Sequence, residues 1–174
     1  MPTPTYVAIA KTVLTSDQLS VEITGIPSTY TDLLLVGNGR ADYAASTARQ
    51  IRLIINGDTG TNYSKIQAYG NGATVSNEIA SSTANMNFFS VAADSTTSNT
   101  FGSFEFYIPN YTGSTNKPIS STLVNENNST TGYDTMAAGL WRNSAAITSL
   151  KLDFQAGNNF KSGTSIWLYG IKNS

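Results

Sequence analysis

A chain of 174 residues is long enough for one domain with its own core, and its net charge of −1 excludes the strong field that gathers nucleic acid or anionic lipid. The absence of cysteine and histidine excludes disulfide bonds, thiolate and imidazole metal sites, and nucleophilic catalysis by a Ser-His-Asp or Cys-His system. Only 12% of the residues are charged, so serine, threonine and asparagine supply most of the polar surface.

The predicted elements, in chain order, are ten or eleven β-strands. Apolar residues recur at every second position in most of them, as at Phe104, Phe106 and Ile108, which is typical of a strand with one face in a core. The continuous apolar runs Leu33–Val36 and Leu53–Ile55 predict strands buried on both faces. The predicted bounds are 6–14, 18–25, 32–40, 48–56, 63–69, 84–91, 101–108, 119–126, 135–142, 147–155 and 164–172.

Turns and loops separate the predicted strands. The segments 76–84 and 92–100 have no hydrophobic periodicity and are predicted to be polar loops. A short helix within 41–52, where alanines cluster, is the one helical alternative. Asn-Gly pairs tolerate positive φ, and they predict tight turns at three places, 38–39, 56–57 and 71–72.

Short strands separated by turn signals predict an all-β fold. We expect a single domain over residues 1–174, built as an antiparallel β-sandwich that resembles a jelly roll. Trp167 and Tyr169 alternate with Ile166 and Leu168, so they are expected to form a second apolar contact, with the partner sheet or with another copy of the chain. The residues predicted to face the core are Leu34, Val36, Leu53, Ile55, Phe104, Phe106, Leu150, Leu152, Ile166 and Leu168.

Catalysis in a chain without histidine would rest on carboxylates, lysine or tyrosine. A glycosidase needs two convergent carboxylates, and Glu105 and Asp153 lie on strands whose faces could meet. We favour the alternative that both are outward-facing charges that keep the surface soluble.

Segment 56–62 spaces oxygen ligands as a calcium loop does, but a hairpin turn with Asp58 bonded to its own backbone is favoured. The sequence therefore predicts a protein that is not an enzyme, with no catalytic, cofactor-binding or metal-binding residue.

Four residues are predicted to contact a partner. Tyr63 and Tyr111 stand beside asparagine in predicted turns, where exposed rings suit sugar stacking or protein contact. Pro2 and Pro4 make residues 1–5 an extended arm that cannot enter a sheet interior and loses little entropy on a partner. A frayed terminus without a role is the equal alternative for this arm.

Five sequence blocks, in their order along the chain, resemble small virion structural proteins of tailed bacteriophages. The blocks are Ile26–Leu35, Ile55–Ser64, Tyr107–Thr112, Ala138–Trp141 and Leu168–Lys172. Each block is a strand with its turn, and their order and spacing extend over nearly the whole chain. The resemblance implies an assembly role in a virion, as a capsid decoration domain or a tail-fibre-associated domain, and it implies no catalytic motif.

Two functions follow as expectations. The first is a decoration or cement protein that binds the major capsid protein as a closed homo-oligomer, expected to be a trimer. The second is a tail-fibre or receptor-binding module that recognises carbohydrate on the host surface. A chain without a shaft favours the first, and the abundance of tyrosine and asparagine favours the second. Nucleic acid and membranes are not expected partners, and no cofactor is expected.

Overall fold

The computed structural model describes residues 5–128 and 132–172, and these residues form twelve strands and one 3₁₀ turn at Gln155–Gly157. The prediction of an all-β fold is confirmed. None of the described segments is a helix of the length and apolar character needed to cross a membrane. The strands are β1 (Tyr6–Val13), β2 (Ser20–Ile23), β3 (Asp32–Ala41), β4 (Ala48–Ile55), β5 (Tyr63–Gly70), β6 (Val75–Thr83), β7 (Met86–Ala93), β8 (Gly102–Ile108), β9 (Lys117–Glu126), β10 (Gly132–Trp141), β11 (Leu150–Phe154) and β12 (Ser165–Ile171).

Eight strands form an array that we call the large sheet. Their order is β1-β12-β3-β8-β9-β10-β5-β6, and every neighbouring pair is antiparallel. The hairpins β8-β9, β9-β10 and β5-β6 are local in sequence, whereas β3 is paired on both sides with distant parts of the chain. The edges of the large sheet are therefore β1 and β6.

The other four strands form the small sheet, in the antiparallel order β2-β11-β4-β7. Strand β7 also pairs in parallel with the end of β3, where Arg40 and Ala41 lie opposite Ala92 and Ala93. From this junction β7 runs close to β9, β10 and β5 without pairing with them. The small sheet therefore covers one face of the large sheet, an arrangement that fits the predicted β-sandwich. The jelly-roll order of strands stays a prediction.

The core lies between the two sheets. Strand β8 buries Phe106 and exposes its neighbour Glu105, as a strand with one face in a core must. The ring centroid of Phe88 on β7 lies 5.2 Å from that of Phe106. Met86 approaches β10 so closely that a Cβ atom at Gly139 would lie 2.3 Å from its sulfur. Glycine at position 139 therefore allows β7 to pack directly on the large sheet.

The predicted elements agree with the structure except in three places. All eleven predicted strands are present, with small shifts at their ends. Strand β6 lies in the segment 76–84 that was predicted to be a loop, because its apolar side chains Val75 and Ile79 face solvent rather than the core. The helical alternative within 41–52 is wrong, since β4 begins at Ala48 and its ladder with β7 overrides local propensity.

The third difference concerns an Asn-Gly pair. The pairs at 56–57 and 71–72 do form turns, with Asn56, Gly57 and Gly72 at positive φ. The pair at 38–39 lies instead inside β3, where Gly39 pairs with Gly102 of β8. The prediction of a turn at 38–39 is wrong, because ladders on both sides of β3 keep the chain extended there.

The predicted core residues are buried, with two exceptions. Leu34 and Val36 are half-buried on the opposite face of the large sheet, so their prediction as core residues is wrong. Leu33 and Leu35 take the inward positions, because the ladders with β8 and β12 fix the alternation and an unbroken apolar run does not reveal it. The eight confirmed residues are Leu53, Ile55, Phe104, Phe106, Leu150, Leu152, Ile166 and Leu168.

Replacing Phe106 with alanine is expected to lower the free energy of unfolding by about 3–5 kcal/mol, because the change removes a fully buried ring and leaves a cavity. Glu105→Gln, at the exposed neighbour, is expected to change it by about 0.5 kcal/mol or less. Urea unfolding followed by tryptophan fluorescence measures both values. A loss below about 1 kcal/mol for Phe106→Ala would contradict the orientation of β8.

Candidate functional site

The outer face of the large sheet, which points away from the small sheet, carries rows of side chains that cross all eight strands. The register of the ladders defines these rows, since each member lies directly opposite the next. One row has no charged member and consists of Ala8, Tyr169, Leu34, Tyr107, Ser120, Ala138, Ile66 and Ile79. The row beside it consists of Lys11, Trp167, Val36, Glu105, Thr122, Met136, Ala68 and Asn77.

Exposed apolar side chains concentrate on one half of this outer face. Five of them lie on β5, β6, β9 and β10, with between 49% and 83% of each side chain exposed. A contiguous patch of this kind marks contact with another molecule, whereas single exposed apolar residues are ordinary. We call these five residues the apolar patch: Ile66, Val75, Ile79, Val124 and Met136.

The outer face of the small sheet has a different character, because its charges form one ion pair across strands and one along a strand. Arg52 Nε lies 2.6 Å from Asp153 Oδ1, and Lys151 Nζ lies 3.7 Å from Asp153 Oδ2. Lys151 also lies directly opposite Glu22 on β2. Cross-strand pairs of opposite charge stabilise a sheet face that is in water. The two outer faces of the molecule are therefore chemically distinct.

The charges of the large sheet's outer face are sparse and mostly acidic. Strands β8, β9 and β10 present Glu105, Glu126 and Asp134 there, and no lysine or arginine of these three strands shares that face. The lysine of β9, Lys117, is instead fully buried, where its Nζ donates to the carbonyl oxygen of Gly113 at 2.7 Å. A partner of this face would accordingly be apolar and weakly basic.

A shallow groove of about 450 Å³ crosses the centre of the outer face. Trp167 and Val36 supply apolar surface, and Glu105 supplies an exposed carboxylate. The amide of Asn38 is oriented by the backbone N–H of Ser165, which donates to Asn38 Oδ1 at 3.1 Å. The hydroxyl groups in the groove belong to Ser103 and Thr122. An aromatic ring beside amide, hydroxyl and carboxylate groups is a surface to which a sugar ring can bind.

Glu105 and Asp153 do not converge, so the hypothesis of a glycosidase pair is wrong. Glu105 is exposed on the outer face of the large sheet, and no described residue forms an ion pair or hydrogen bond with it. Asp153 lies on the outer face of the small sheet, across the core, and is buried against Arg52. The prediction of an outward-facing solubilising charge is confirmed for Glu105 and wrong for Asp153, since a buried carboxylate needs its ionic partner.

Segment 56–62 is a turn that Asp58 organises through its own backbone, as predicted, but it connects β4 of the small sheet to β5 of the large sheet, so the prediction of a hairpin is wrong. Asp58 Oδ1 accepts a hydrogen bond from the backbone N–H of Gly60 at 2.8 Å, and Oδ2 accepts from Asn62 Nδ2 at 2.9 Å and from Trp141 Nε1 at 2.7 Å. Burial alone would raise the pKa of Asp58, but these hydrogen bonds outweigh it and hold the pKa below its usual value of 3.8. Within the described residues, no three histidine, cysteine, aspartate or glutamate side chains come together as metal ligands.

Tyr63 and Tyr111 are fully buried, so their prediction as exposed partner contacts is wrong. The hydroxyl of Tyr63 donates to the carbonyl oxygen of Asp58 and accepts from the N–H of Ile55, both at 3.0 Å. Burial raises the pKa of Tyr63 to about 12, which keeps this hydroxyl neutral. The hydroxyl of Tyr111 donates to the carbonyl oxygen of Pro27. Both rings fix loops to the core and are unavailable to a partner.

The other two predicted contacts, Pro2 and Pro4, lie outside the described residues. The adjoining Thr5 accepts a hydrogen bond at its carbonyl oxygen from the N–H of Lys172, at 2.9 Å. The chain next to the predicted arm is therefore fixed beside the end of β12. The role of residues 1–5 as an attachment arm stays a prediction.

Core periodicity in the sequence does not identify the residues of the apolar patch. On β10, Met136, Ala138 and Leu140 form an apolar series opposite the inward series of Thr135, Gly139 and Trp141. Two apolar series on one strand are the signal that could have identified an outer contact face. The prediction for β12 rests on this signal, and the outward orientation of Trp167 and Tyr169 is confirmed.

Replacing Asp58 with asparagine is expected to destabilise the fold at neutral pH, because a neutral amide offers one acceptor oxygen to three donors. Since the folded-state pKa of Asp58 is lowered, its stabilisation is complete above the unfolded-state pKa and is lost as pH falls through the folded-state pKa. The difference in unfolding free energy between wild type and Asp58→Asn should thus shrink below about pH 4. Urea unfolding at a series of pH values tests this, and a pH-independent difference would contradict it.

Comparisons with protein-family models, with curated proteins and with solved structures give no match to this chain. The resemblance to phage virion proteins therefore stays a prediction.

Proposed function

We propose that the chain is a non-catalytic structural module that binds another protein through the outer face of its large sheet, as a capsid decoration protein binds the major capsid protein of a virion. The observation that supports this proposal is the apolar patch, which is exposed although a well-formed core lies directly beneath it. Apolar side chains on the solvent side of a sheet bury little surface on folding. They are removed from water when a second surface covers them.

The size of the outer face supports a protein partner. Eight strands at about 4.8 Å spacing, with about seven residues of each at about 3.3 Å, give an area of roughly 900 Å². A standard protein interface buries about 800 Å² on each partner. A flat surface of this size suits a broad contact with a shell protein better than it suits a small ligand.

The charge pattern supports the same choice of face. The small sheet carries its charges as a cluster of ion pairs suited to water, and the large sheet carries few charges across two full rows. A face with few charges lowers the desolvation cost of docking, because charged groups lose the most when water is removed. The remaining acidic groups, Glu105, Glu126 and Asp134, favour a partner surface that carries lysine or arginine.

The test is a charge introduced into the apolar patch. Met136→Glu is expected to abolish occupancy on virions of the virus that encodes the chain, because an unpaired carboxylate would be buried in the contact. Leu19→Glu is the matched control, since Leu19 is similarly exposed but lies beside β2 of the small sheet. Occupancy is measured on particles that lack the wild-type protein, by adding each purified variant and recording a density map. Equal occupancy of both variants would contradict the proposal.

Carbohydrate binding in the central groove is the second candidate function. The groove supports it because Trp167 is partly exposed beside the amide of Asn38, the hydroxyl of Thr122 and the carboxylate of Glu105. Stacking of a sugar on an indole ring, with hydrogen bonds from fixed polar groups around it, is a common way for a β-sheet surface to select a sugar. The receptor-binding alternative would use this groove and not the buried Tyr63 or Tyr111.

Trp167→Ala is expected to abolish binding to host-surface polysaccharide, since it removes the only indole ring in the groove. Trp141→Phe is the matched control: it alters the other tryptophan, which is buried and bonded to Asp58. That variant should lose stability and, once folded, keep its affinity. Isothermal calorimetry with purified polysaccharide measures both affinities. Absence of binding by the wild-type chain would exclude this second function.

A further inference from the structure

Strand β6 is an open edge of the large sheet with unusual exposure. Among the described strands it pairs with β5 alone. Its side chains Val75 and Ile79 are 83% and 72% exposed, the two highest values among the exposed large apolar residues of the described chain. Soluble proteins protect long edge strands with proline, with outward charge or with a covering loop. Within residues 5–128 and 132–172 none of these protects β6. Its one charge, on Glu78, is held 2.9 Å from Lys65 of the neighbouring strand.

The ladder with β5 determines which backbone groups of β6 are free. At the turn, the N–H of Asn71 donates to the carbonyl oxygen of Thr74 at 3.2 Å and the N–H of Thr74 donates to Asn71 Oδ1 at 2.8 Å, so the backbone groups of Thr74 point toward strand β5 as in a hydrogen-bonded pair. Antiparallel ladders alternate hydrogen-bonded and non-hydrogen-bonded pairs. The register therefore places Val75, Asn77 and Ile79 in non-hydrogen-bonded pairs with β5. Their N–H and C=O groups point away from β5, toward the open edge.

We propose that β6 pairs antiparallel with β6 of a second copy of this chain, around a two-fold axis that passes beside Asn77. In this register Val75 lies opposite Ile79 of the second copy, and Asn77 lies opposite Asn77 of the second copy. The free backbone groups of all three residues then find partners. The most exposed apolar side chains on the large sheet pack against one another, and the two asparagine amides can exchange hydrogen bonds.

The sequence of β6 selects this register among the two-fold alternatives. An axis beside Glu78 would place two glutamates directly opposite each other, which is destabilising. An axis beside Ser76 would place Val75 opposite asparagine. An axis beside Ile79 would extend the pairing into the end of β6, where the ladder with β5 is irregular and Ser82 has a φ of 55°. Of these four axes, only the one beside Asn77 pairs apolar side chains, avoids facing carboxylates and lies in the part of β6 whose ladder with β5 is regular.

This pairing extends the proposed function, because it would join two large sheets into one sheet of sixteen strands. The apolar patch of each copy includes Ile66, Val75 and Ile79 next to the shared edge, so the two patches become continuous across the axis. An antiparallel pair of identical strands is an isologous contact and closes after two copies. The inference therefore gives a dimer in place of the trimer expected from the sequence. It does not require that the outer face bind a capsid.

A single cysteine tests the pairing cleanly, because the chain has none of its own. Residues opposite each other in a hydrogen-bonded pair have Cα atoms about 5.5 Å apart, within the range of a disulfide. Asn77→Cys is therefore expected to give a covalent dimer on mild oxidation of the purified full-length chain. Ala8→Cys is the matched control, since Ala8 is an exposed outer-face residue of β1 at the other edge of the large sheet. It should stay monomeric on a non-reducing gel.

A second variant removes the interface without touching the core. Ile79→Lys is expected to weaken the non-covalent dimer at least about tenfold in sedimentation equilibrium, since it places an ammonium group opposite Val75 in both symmetry-related contacts and removes the apolar pair from each. At a concentration low enough for the wild-type chain to be monomeric, thermal unfolding of Asn77→Cys and Ile79→Lys should match wild type under reducing conditions, because both side chains are exposed. Equal cross-linking at positions 8 and 77, a mass of three chains, or dimers unaffected by Ile79→Lys would overturn the proposal. If a chain that gives any of these results still binds particles, the dimer proposal is wrong and the capsid proposal is unaffected.

Discussion

Strand β7 holds the two sheets together, because it is hydrogen-bonded to β4 and to the end of β3 while its side chains pack on the inner face of the large sheet. Met86 and Phe88 lie against Gly139 and Phe106, and no larger residue than glycine fits at position 139 without displacing Met86. This contact decides which face of each large-sheet strand is buried. Since side chains alternate along a strand, it also decides which residues are left on the outer face.

The two outer faces of the sandwich divide the chain's few charges unequally. Arg52, Asp153 and Lys151 form a cluster on the small sheet that suits contact with water, while the large sheet has one row without a charged member that crosses all eight strands. The buried guanidinium group of Arg40 holds a loop in place, since Arg40 Nη1 donates to the carbonyl oxygens of Thr97 and Thr100 at 2.9 and 3.0 Å. Because few charged side chains remain in contact with water, the low charge content of the chain and the exposed apolar face of the large sheet occur together.

Periodicity predicted most of the fold and little of the candidate site. Strands with a polar alternate, such as β8, could be oriented from the sequence, because Glu105 marks the solvent side. The run from Leu33 to Val36 could not, since only the ladders on both sides of β3 choose between its two apolar sets. The burial of Tyr63 could not be predicted for a related reason. A tyrosine near a turn can be buried when a backbone carbonyl oxygen lies within reach of its hydroxyl, and that depends on the tertiary structure. Strand β6 was missed because its apolar side chains serve no core.

The unequal exposure of the methionines gives the outer face a chemical sensitivity of its own. Of the two methionines in the described chain, Met86 is completely buried at the contact between the sheets, and 66% of Met136 is exposed in the middle of the apolar patch. Peroxide reaches an exposed thioether first and converts it into a polar, chiral sulfoxide. Of these two methionines, Met136 on the outer face would therefore be oxidised first, and the hydrophobicity of that face would decline while the packing of Met86 between the sheets persisted.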